Sequence, residues 1–252
     1  MRAIILAAGR GSRMGNLTED KPKCLTEIAG QSLLAWQTSA LRRAGIHQIA
    51  IVRGYLAKAI NITGCITFEN PNWTTSNMVR SLACAATWLA DSNCIISYSD
   101  IVYHPKIVRG LINTTGNLAI SYDQEWLSLW RSRFDDPLED AETFQLTPEG
   151  KLKSIGNTAG SISEIEGQYM GLLKVSPVGW QQILSVLDNL SSHQFDVLDM
   201  TALLQLLIEA DIEIETFPTS GWWCEIDNQS DLQIYETKLS SVNWLHNWRW
   251  EK

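Results

Sequence analysis

Short apolar runs alternate with stretches of helical periodicity along the first half of the chain. The apolar runs predict buried strands at residues 2–7, 47–52, 65–69, 94–100 and 118–123. Residues 32–44 carry apolar side chains at helical spacing and end before Gly45, and residues 77–89 repeat the helical pattern. Strands that alternate with helices in this way predict an α/β fold with a central, mostly parallel mixed sheet covered by helices on both faces.

The pattern changes from about residue 124, where a tryptophan- and arginine-rich stretch precedes an acidic run. Residues 142–155 predict a hairpin that turns at Pro148 and Gly150, and residues 168–175 predict a further strand. The remaining expected elements are helices near 178–190, 199–210 and 230–239, and strands at 212–218 and 224–227. We interpret this half as additions to the same sheet rather than as an independent domain.

The composition is that of an ordinary globular protein, and its charge restricts the class of partner. The 252 residues carry a formal net charge of −8, which disfavours nucleic acid and anionic lipid as partners. The five cysteines are scattered without a CxxC pair, as is typical of reduced thiols. The apolar run 3–8 is shorter than the core of a signal sequence, and no run approaches the length of a membrane span. We therefore expect a soluble cytoplasmic protein.

The most informative segment is residues 6–25, LAAGRGSRMGNLTEDKPKCL, which begins at the end of the first strand. Its small residues leave backbone N–H groups accessible to a phosphate chain or a base edge: Ala7, Ala8, Gly9 and Gly11. Arg13 offers a forked donor for terminal phosphates, and Lys23, held after Pro22, offers a compact positive charge. Because neither the Walker nor the GxGxxG pattern is complete, the glycines alone are equally typical of a plain turn.

As a whole, this segment resembles the sugar-nucleotide and head-group nucleotidyltransferases, whose motif runs approximately LAAGxGxRxxPLTxxxPKxL. Asn16 stands where that family commonly has proline, which affects loop stiffness more than chemistry. The resemblance implies a single Rossmann-like, GT-A-type domain over residues 1–252, with a nucleotide-binding half at 1–123 and an acceptor-binding half with the closing helix at 124–252. It also implies that a set of loop residues binds the nucleotide: Leu6, Ala7, Ala8, Gly9, Gly11, Ser12 and Arg13.

Carboxylates follow two of the predicted strands. Asp100 closes an apolar strand, where ligands of open α/β sheets collect, while Glu225 and Asp227 lie two apart and share one strand face. From the residues alone, each is equally a capping or turn aspartate or glutamate. The resemblance implies more, because the family has an aspartate after a central strand and a late W-x-(E/D)-x-D segment, matched here from Trp223. It implies a Mg²⁺ site with Asp100 and Asp227 as direct ligands and Glu225 in support.

These parts imply a mechanism that uses few residues. A phosphate or phosphonate oxygen of the acceptor attacks the α-phosphorus of an NTP, and pyrophosphate leaves. Since the acceptor is already an anion, catalysis consists of positioning and charge neutralisation. The resemblance assigns the catalytic roles to Lys23, Arg13, Asp100 and Asp227.

Four further segments resemble the branch of this family that activates small head groups with CTP, such as phosphocholine, 2-aminoethylphosphonate and phosphoglutamine. These segments are residues 75–82, 96–103, 126–143 and 166–172. They imply a cytidylyltransferase for a small phosphorylated or phosphonate acceptor, in capsule or surface polysaccharide biosynthesis. In this interpretation Asn77 contacts a base or ribose edge, Arg80 contacts a phosphate, and Ser99 completes the nucleotide site. A capped helix with a solvated face is the alternative for residues 77–84.

Residues of the second half are the candidates for binding the acceptor: Trp126, Trp130, Arg131, Arg133, Glu166 and Tyr169. Aromatic faces suit a cationic ammonium group, and arginines suit a phosphate or carboxylate. An ordinary packed aromatic segment explains the tryptophans equally well. The acidic side chains Glu139, Asp140 and Glu142 suit an ammonium group too, although acidic runs more often form a solvated surface.

Two other functions stay open. A sugar-1-phosphate uridylyl-, thymidylyl- or guanylyltransferase would keep every catalytic residue and change only the base and acceptor contacts. A catalytically silent nucleotide-binding regulator on the same fold is disfavoured, because Lys23, Asp100 and Asp227 are all present. The C-terminal tryptophans are expected to pack the tail onto the domain or onto a second subunit, which leaves a homodimer open: Trp244, Trp248 and Trp250.

Overall fold

The structure, a computed structural model, describes residues 1–241 and 243–250. The strands are β1 Arg2–Ala7, β2 Glu27–Ile28, β3 Gln31–Ser32, β4 Ile49–Arg53, β5 Cys65–Glu69, β6 Cys94–Tyr98, β7 Ile101–Tyr103, β8 Leu118–Asp123, β9 Glu142–Leu146, β10 Leu152–Thr158, β11 Gln168–Val175, β12 Glu215–Thr219 and β13 Trp223–Glu225. The α-helices are α1 Leu33–Arg43, α2 Met78–Ala83, α3 Ala86–Asp91, α4 Pro105–Asn113, α5 Trp126–Arg133, α6 Pro177–Leu187, α7 Ser192–Val197, α8 Met200–Glu209 and α9 Gln229–Lys238.

Seven strands form the central sheet, in the order β12-β8-β11-β6-β1-β4-β5. The strands β6, β1, β4 and β5 pair in parallel, as do β8 and β12. Strand β11 is antiparallel to both of its neighbours and joins the two parallel groups into one sheet. Every residue from Ala3 to Ala7 is buried, and successive residues of a strand point to opposite faces, so both faces of the sheet are covered. The predicted α/β fold with a mostly parallel mixed sheet is confirmed.

The apolar runs marked the strands well, while the predicted helix at residues 77–89 is wrong in its continuity. It is broken into α2 and α3, because Ala85 leaves the helical conformation with φ −101° and ψ 20°. Helix α4 was not predicted, although Pro105 at its first turn is a common helix-start signal; only its His104 cap is unusual. Within residues 1–241 and 243–250, no helix is long and apolar enough to cross a bilayer.

The C-terminal tryptophans pack onto this domain. Trp248 is fully buried and lies in edge contact with Trp36 of α1 and with Trp244, at ring-centroid distances of 6.1 and 6.3 Å. Between them in sequence, His246 Nε2 lies 3.0 Å from Asp123 Oδ2 at the end of β8, and both side chains are buried. This part of the tail therefore packs on the chain's own sheet and helix.

Candidate active site

Two adjoining cavities open at the carboxyl ends of β1 and β6. The first, which we call the loop cavity, has a volume of about 290 Å³; its walls include Leu6, Ala8, Gly9, Gly11, Ser12, Arg13, Lys23, Trp73, Ser76, Asn77, Met78, Ser81, Tyr98, Ser99 and Asp100. The second, the hairpin cavity, has a volume of about 270 Å³; its walls include Arg13, Met78, Tyr98, Trp130, Asp140, Glu142, Thr143, Phe144, Ile155, Gln168, Tyr169, Asp199, Met200, Thr201, Glu225 and Asp227. The cavities meet at Arg13, Met78 and Tyr98.

The loop after β1 is shaped to deliver Lys23 into the site. Gly11 has a φ of +71°, and a Cβ atom at this position would lie 2.7 Å from Lys23 Cβ, so only glycine fits both the conformation and the contact. The hydroxyl of Thr18 donates to the Gly11 carbonyl at 3.1 Å and closes the loop. The lysine stem therefore runs over the glycine backbone toward the carboxylates.

The Lys23 ammonium lies between two carboxylates. Its Nζ donates to Asp227 Oδ1 at 2.7 Å and to Asp100 Oδ2 at 2.9 Å, and the residue is 7% exposed. Burial alone would lower the pKa of Lys23, but Asp100 and Asp227 outweigh it and raise the pKa above its usual value. Burial would likewise raise the pKa of Asp227, yet Lys23 holds it below its usual range. Both groups therefore stay charged at neutral pH.

A two-stranded ribbon brings the carboxylates together across the chain. Strand β13 pairs antiparallel with β7, and the Ile226 N–H donates to the Asp100 carbonyl at 2.9 Å. As a result, one carboxylate oxygen each from Asp100, Glu225 and Asp227 lies within 4.8 Å of the others. We call these three residues the carboxylate trio.

The carboxylate trio fits a hard divalent cation. Asp100 Oδ1 is buried and has no hydrogen-bond partner among residues 1–241 and 243–250, so it is an acceptor with capacity to spare. Burial and the neighbouring Asp227 raise the pKa of Glu225, the signature of carboxylates that need more positive charge nearby. Clustered carboxylate oxygens are the ligands that Mg²⁺ takes in proteins, and the Lys23 ammonium shows that a cation is already favoured here.

Arg13 occupies the junction of the two cavities. One guanidinium nitrogen lies 3.1 Å from Asp227 Oδ1, while 67% of the side chain is exposed. An exposed, forked cation at this point can reach a ligand in either cavity. Arg13 is therefore available to a phosphate group at the junction.

The other residues predicted to bind the nucleotide differ in whether they line the loop cavity. Asn77 and Ser99 lie on the wall of the loop cavity, where Asn77 also caps α2. Ala7 is 2% exposed beneath the loop and outside this wall. Arg80 points elsewhere, because its Nε donates to Asp196 at 2.7 Å and its guanidinium stacks 3.7 Å from the Phe195 ring centroid. Arg80 thus joins α2 to α7, and it is not part of the described wall of the loop cavity.

Among the predicted acceptor residues, Trp130 and Tyr169 line the hairpin cavity. Trp126 is buried and Arg131 is exposed, and neither belongs to the described wall of either cavity. Glu166 is exposed on the hairpin edge, where it accepts a hydrogen bond from the Leu146 N–H.

The remaining predicted acceptor residue is Arg133, whose side chain is buried behind the carboxylate trio. It is not part of the described wall of either cavity. Its guanidinium pairs with Glu225 and Asp231. Arg133, Trp126, Arg131 and Glu166 therefore lie outside the described walls of both cavities, and the acceptor role given to them from sequence stays a prediction.

The sequence indicated part of the acidic character of the hairpin cavity, through Asp140 and Glu142, and missed Asp199. Asp140 and Glu142 come from the acidic run. Asp199 is the N-cap of α8, and the sequence around it indicates only the start of a helix. Burial raises the pKa of Asp140, and burial together with Asp199 raises the pKa of Glu142. Glu139, by contrast, is exposed outside this wall. Glu225 and Asp227 on this wall pair with Arg13, Lys23 and Arg133, whereas Asp140, Glu142 and Asp199 have no ion pair within residues 1–241 and 243–250.

Solved structures of known proteins share the fold. The inositol-1-phosphate CTP transferase from T. maritima matches with a TM-score of 0.74 at 19% identity, over 94% of this chain and 96% of the other. The CTP:phosphocholine cytidylyltransferase from Streptococcus pneumoniae matches with a TM-score of 0.71 at 21% identity, over 94% and 98%. At these identities the likeness establishes the fold alone.

Sequence comparison establishes the family. The CTP:phosphoglutamine cytidylyltransferase of Campylobacter jejuni subsp. jejuni serotype O:2 is 38% identical over 250 residues, which cover 93% of this chain and 98% of that protein. Residues 3–155 match the family described as the MobA-like NTP transferase domain. The resemblance found in the loop motif is thus confirmed, and the chain belongs to the MobA-like NTP transferase domain family and is a nucleotidyltransferase.

Proposed function

We propose that this nucleotidyltransferase transfers CMP from CTP to a small, amine-bearing phosphorylated acceptor and releases pyrophosphate. The observation that carries the proposal is the opposite charge of two cavities that meet at one reaction centre. The described wall of the loop cavity contributes Arg13 and Lys23 against Asp100, whereas that of the hairpin cavity contributes Arg13 against Asp140, Glu142, Asp199, Glu225 and Asp227. The phosphoglutamine enzyme at 38% identity supports CTP and an amino-acid-like acceptor.

The loop cavity suits the nucleotide. Small residues of the loop, Ala8, Gly9 and Gly11, leave backbone N–H groups accessible on the wall of this cavity. In this proposal residues 1–123 supply the nucleotide site. Arg13 and Lys23 oppose the charge of the triphosphate.

The chain's own groups then act by position and charge. Asp100 and Asp227, with Glu225 in support, would hold Mg²⁺, which when bound polarises a phosphoryl oxygen as a Lewis acid. The Lys23 ammonium donates to a non-bridging oxygen of the α-phosphate, and Arg13 neutralises the departing pyrophosphate. An acceptor phosphate oxygen forms its bond to the α-phosphorus as the bond from that phosphorus to the β-phosphate oxygen breaks. No general base is required, because the attacking oxygen is already anionic.

The hairpin cavity suits the amine end of the acceptor. Its clustered carboxylates lie beside the aromatic rings of Tyr98, Trp130 and Tyr169, and an ammonium group is attracted both to carboxylates and to aromatic faces. The acceptor phosphate would then lie at the junction near Arg13, within reach of the α-phosphate. In this proposal the acceptor site draws mainly on residues 124–252, and Arg13, Met78 and Tyr98 of the first half also line the hairpin cavity.

Replacing Glu142 by Gln is expected to raise the KM for an amine-bearing acceptor by about tenfold, since one charge-assisted interaction is worth roughly 1.5–3 kcal/mol. The KM for CTP should stay unchanged, because Glu142 faces the hairpin cavity alone. Initial rates at varied acceptor and fixed CTP measure the effect. Glu139→Gln is the matched control, because Glu139 is exposed three residues away. Equal KM values for the two variants would remove Glu142 from the acceptor site.

A sugar-1-phosphate uridylyl-, thymidylyl- or guanylyltransferase is the alternative that the same catalytic centre permits. Turnover with CTP, UTP, dTTP, ATP and GTP, each at the same acceptor concentrations, separates the two. The proposal predicts turnover with CTP at least tenfold above that with the other nucleotides. Activity confined to UTP or dTTP would contradict it.

A further inference from the structure

The buried guanidinium of Arg133 lies behind the carboxylate trio. Its side chain is 0% exposed; Nη1 lies 3.1 Å from Glu225 Oε2, and Nη2 lies 3.4 Å from Asp227 Oδ2. On its other edge, Nε lies 3.1 Å from Asp231 Oδ1, and Nη2 lies 3.3 Å from Asp231 Oδ2. One planar group at the end of α5 thus contacts three carboxylates of the late segment.

Asp231 extends this contact to the backbone. Its Oδ2 accepts from the Asp227 N–H at 2.8 Å and from the Asn228 N–H at 3.2 Å, at the start of α9. Both the Asp231 and Arg133 side chains are 0% exposed. Arg133 and Asp231 together therefore fix the backbone and the side chain of Asp227 from the same side.

The two oxygens of Asp227 have different partners. Oδ2 faces Arg133, while Oδ1 faces Lys23 at 2.7 Å and Arg13 at 3.1 Å. In Glu225 it is Oε2 that faces Arg133. Arg133 therefore occupies one oxygen of each residue, and in Asp227 it leaves the other oxygen to Lys23 and Arg13.

We propose that Arg133 is a positioning residue for the metal ligands, and this inference rests on the proposed nucleotidyl transfer. Arg133 is not part of the described wall of either cavity, and it acts through the orientation of Glu225 and Asp227, which do line the hairpin cavity. The forked guanidinium is essential, because a lysine ammonium cannot reach all three carboxylates in one plane. The rings of Trp130 and Phe134, with centroids 5.2 and 5.0 Å from the guanidinium carbon, hold the plane in place.

The proposal is tested by measuring the affinity of the Arg133→Lys variant for Mn²⁺. Electron paramagnetic resonance reports the bound Mn²⁺, with CTP present and acceptor absent. Lysine keeps the buried positive charge and so protects the fold, while the fork is lost. We expect Mn²⁺ affinity to fall by about 10–100-fold, as is typical when a group that orients metal ligands is changed. Arg131→Lys is the matched control, because Arg131 is exposed on the same helix, and its affinity should equal that of the unsubstituted protein.

A second readout separates positioning from acceptor binding. In Arg133→Lys the Mn²⁺ concentration for half-maximal rate should rise, whereas the acceptor KM at saturating Mn²⁺ should stay unchanged. Unchanged Mn²⁺ affinity, or a raised acceptor KM alone, would overturn the positioning role. If Arg133→Lys melts below the assay temperature, Asp231→Asn takes its place, with an expected loss in Mn²⁺ affinity of about tenfold.

The same titration distinguishes this inference from the proposed function. Absence of Mn²⁺ binding by the unsubstituted protein with CTP would overturn the metal site itself, and the positioning role with it. Binding by the unsubstituted protein that equals binding by Arg133→Lys would overturn the positioning role alone.

Discussion

Replacing Asp227 by Asn is expected to lower nucleotidyl transfer by on the order of 10³-fold while the protein stays folded. Asp227 pairs with Lys23, Arg13 and Arg133, and it belongs to the carboxylate trio. Removal of its charge therefore weakens its contacts with all three cations and with a bound metal ion. A bound metal supplies several kcal/mol of charge stabilisation, and each 1.4 kcal/mol corresponds to a factor of ten in rate. Asparagine keeps the volume and one acceptor oxygen but removes the charge.

Pyrophosphate release at saturating CTP, acceptor and Mg²⁺ measures this loss, with thermal melting as the check on folding. Asp188→Asn, at the exposed end of α6, is the matched control and should retain full activity. Activity of Asp227→Asn within about tenfold of the unsubstituted protein would show that Asp227 is not a metal ligand.

Replacing Lys23 by Met is expected to lower turnover by about 10²–10³-fold, the usual result of removing one preorganised donor to a charged transition state. The effect on metal binding should have the opposite sign from that of Asp227→Asn. In the structure the ammonium lies within 2.9 Å of Asp100 and 2.7 Å of Asp227, so it competes with a metal ion for the same oxygens. Mn²⁺ affinity without nucleotide should therefore rise in Lys23→Met and fall in Asp227→Asn.

Electron paramagnetic resonance of Mn²⁺ in nucleotide-free buffer measures this difference. Lys21→Met is the matched control, because Lys21 lies two residues away and outside the described walls of both cavities. A lower Mn²⁺ affinity in Lys23→Met than in the control would show that the lysine organises the carboxylates rather than competing for them. Retained turnover would remove Lys23 from the catalytic centre.

The strands and the loop after β1 were predictable because their signals are local. A buried parallel strand such as β1 is apolar at almost every position. The predicted strands at 2–7, 65–69, 118–123 and 168–175 coincide with β1, β5, β8 and β11. The position of Asp100 after β6 was predictable, since ligands of an open sheet collect at the carboxyl ends of its strands. Glu225 and Asp227 come from the β7–β13 ribbon, where only the family motif indicated their place. Their family motif added the role that position alone left open.

The side chains that the sequence misplaced depend on long-range packing. The sequence predicts that Arg133 and Arg80 contact a ligand, yet in the structure each pairs with a carboxylate far along the chain. The sequence separations are 98 and 116 residues. The sequence pattern around Asp199 indicates only a helix cap. Its place on the wall of the hairpin cavity follows from the packing of α8 on β10. Periodicity reports which face of an element is buried, and it carries no information on which distant element covers that face.

The most direct test of the central claim is pyrophosphate release with Mg²⁺ and CTP against four acceptors: phosphocholine, 2-aminoethylphosphonate, L-glutamine phosphate and glucose-1-phosphate. The opposite charges of the two cavities predict release with at least one amine-bearing acceptor, at a rate well above that with glucose-1-phosphate, and no release from Asp227→Asn. Release with glucose-1-phosphate alone, or equal release from the unsubstituted protein and Asp227→Asn, would contradict the account.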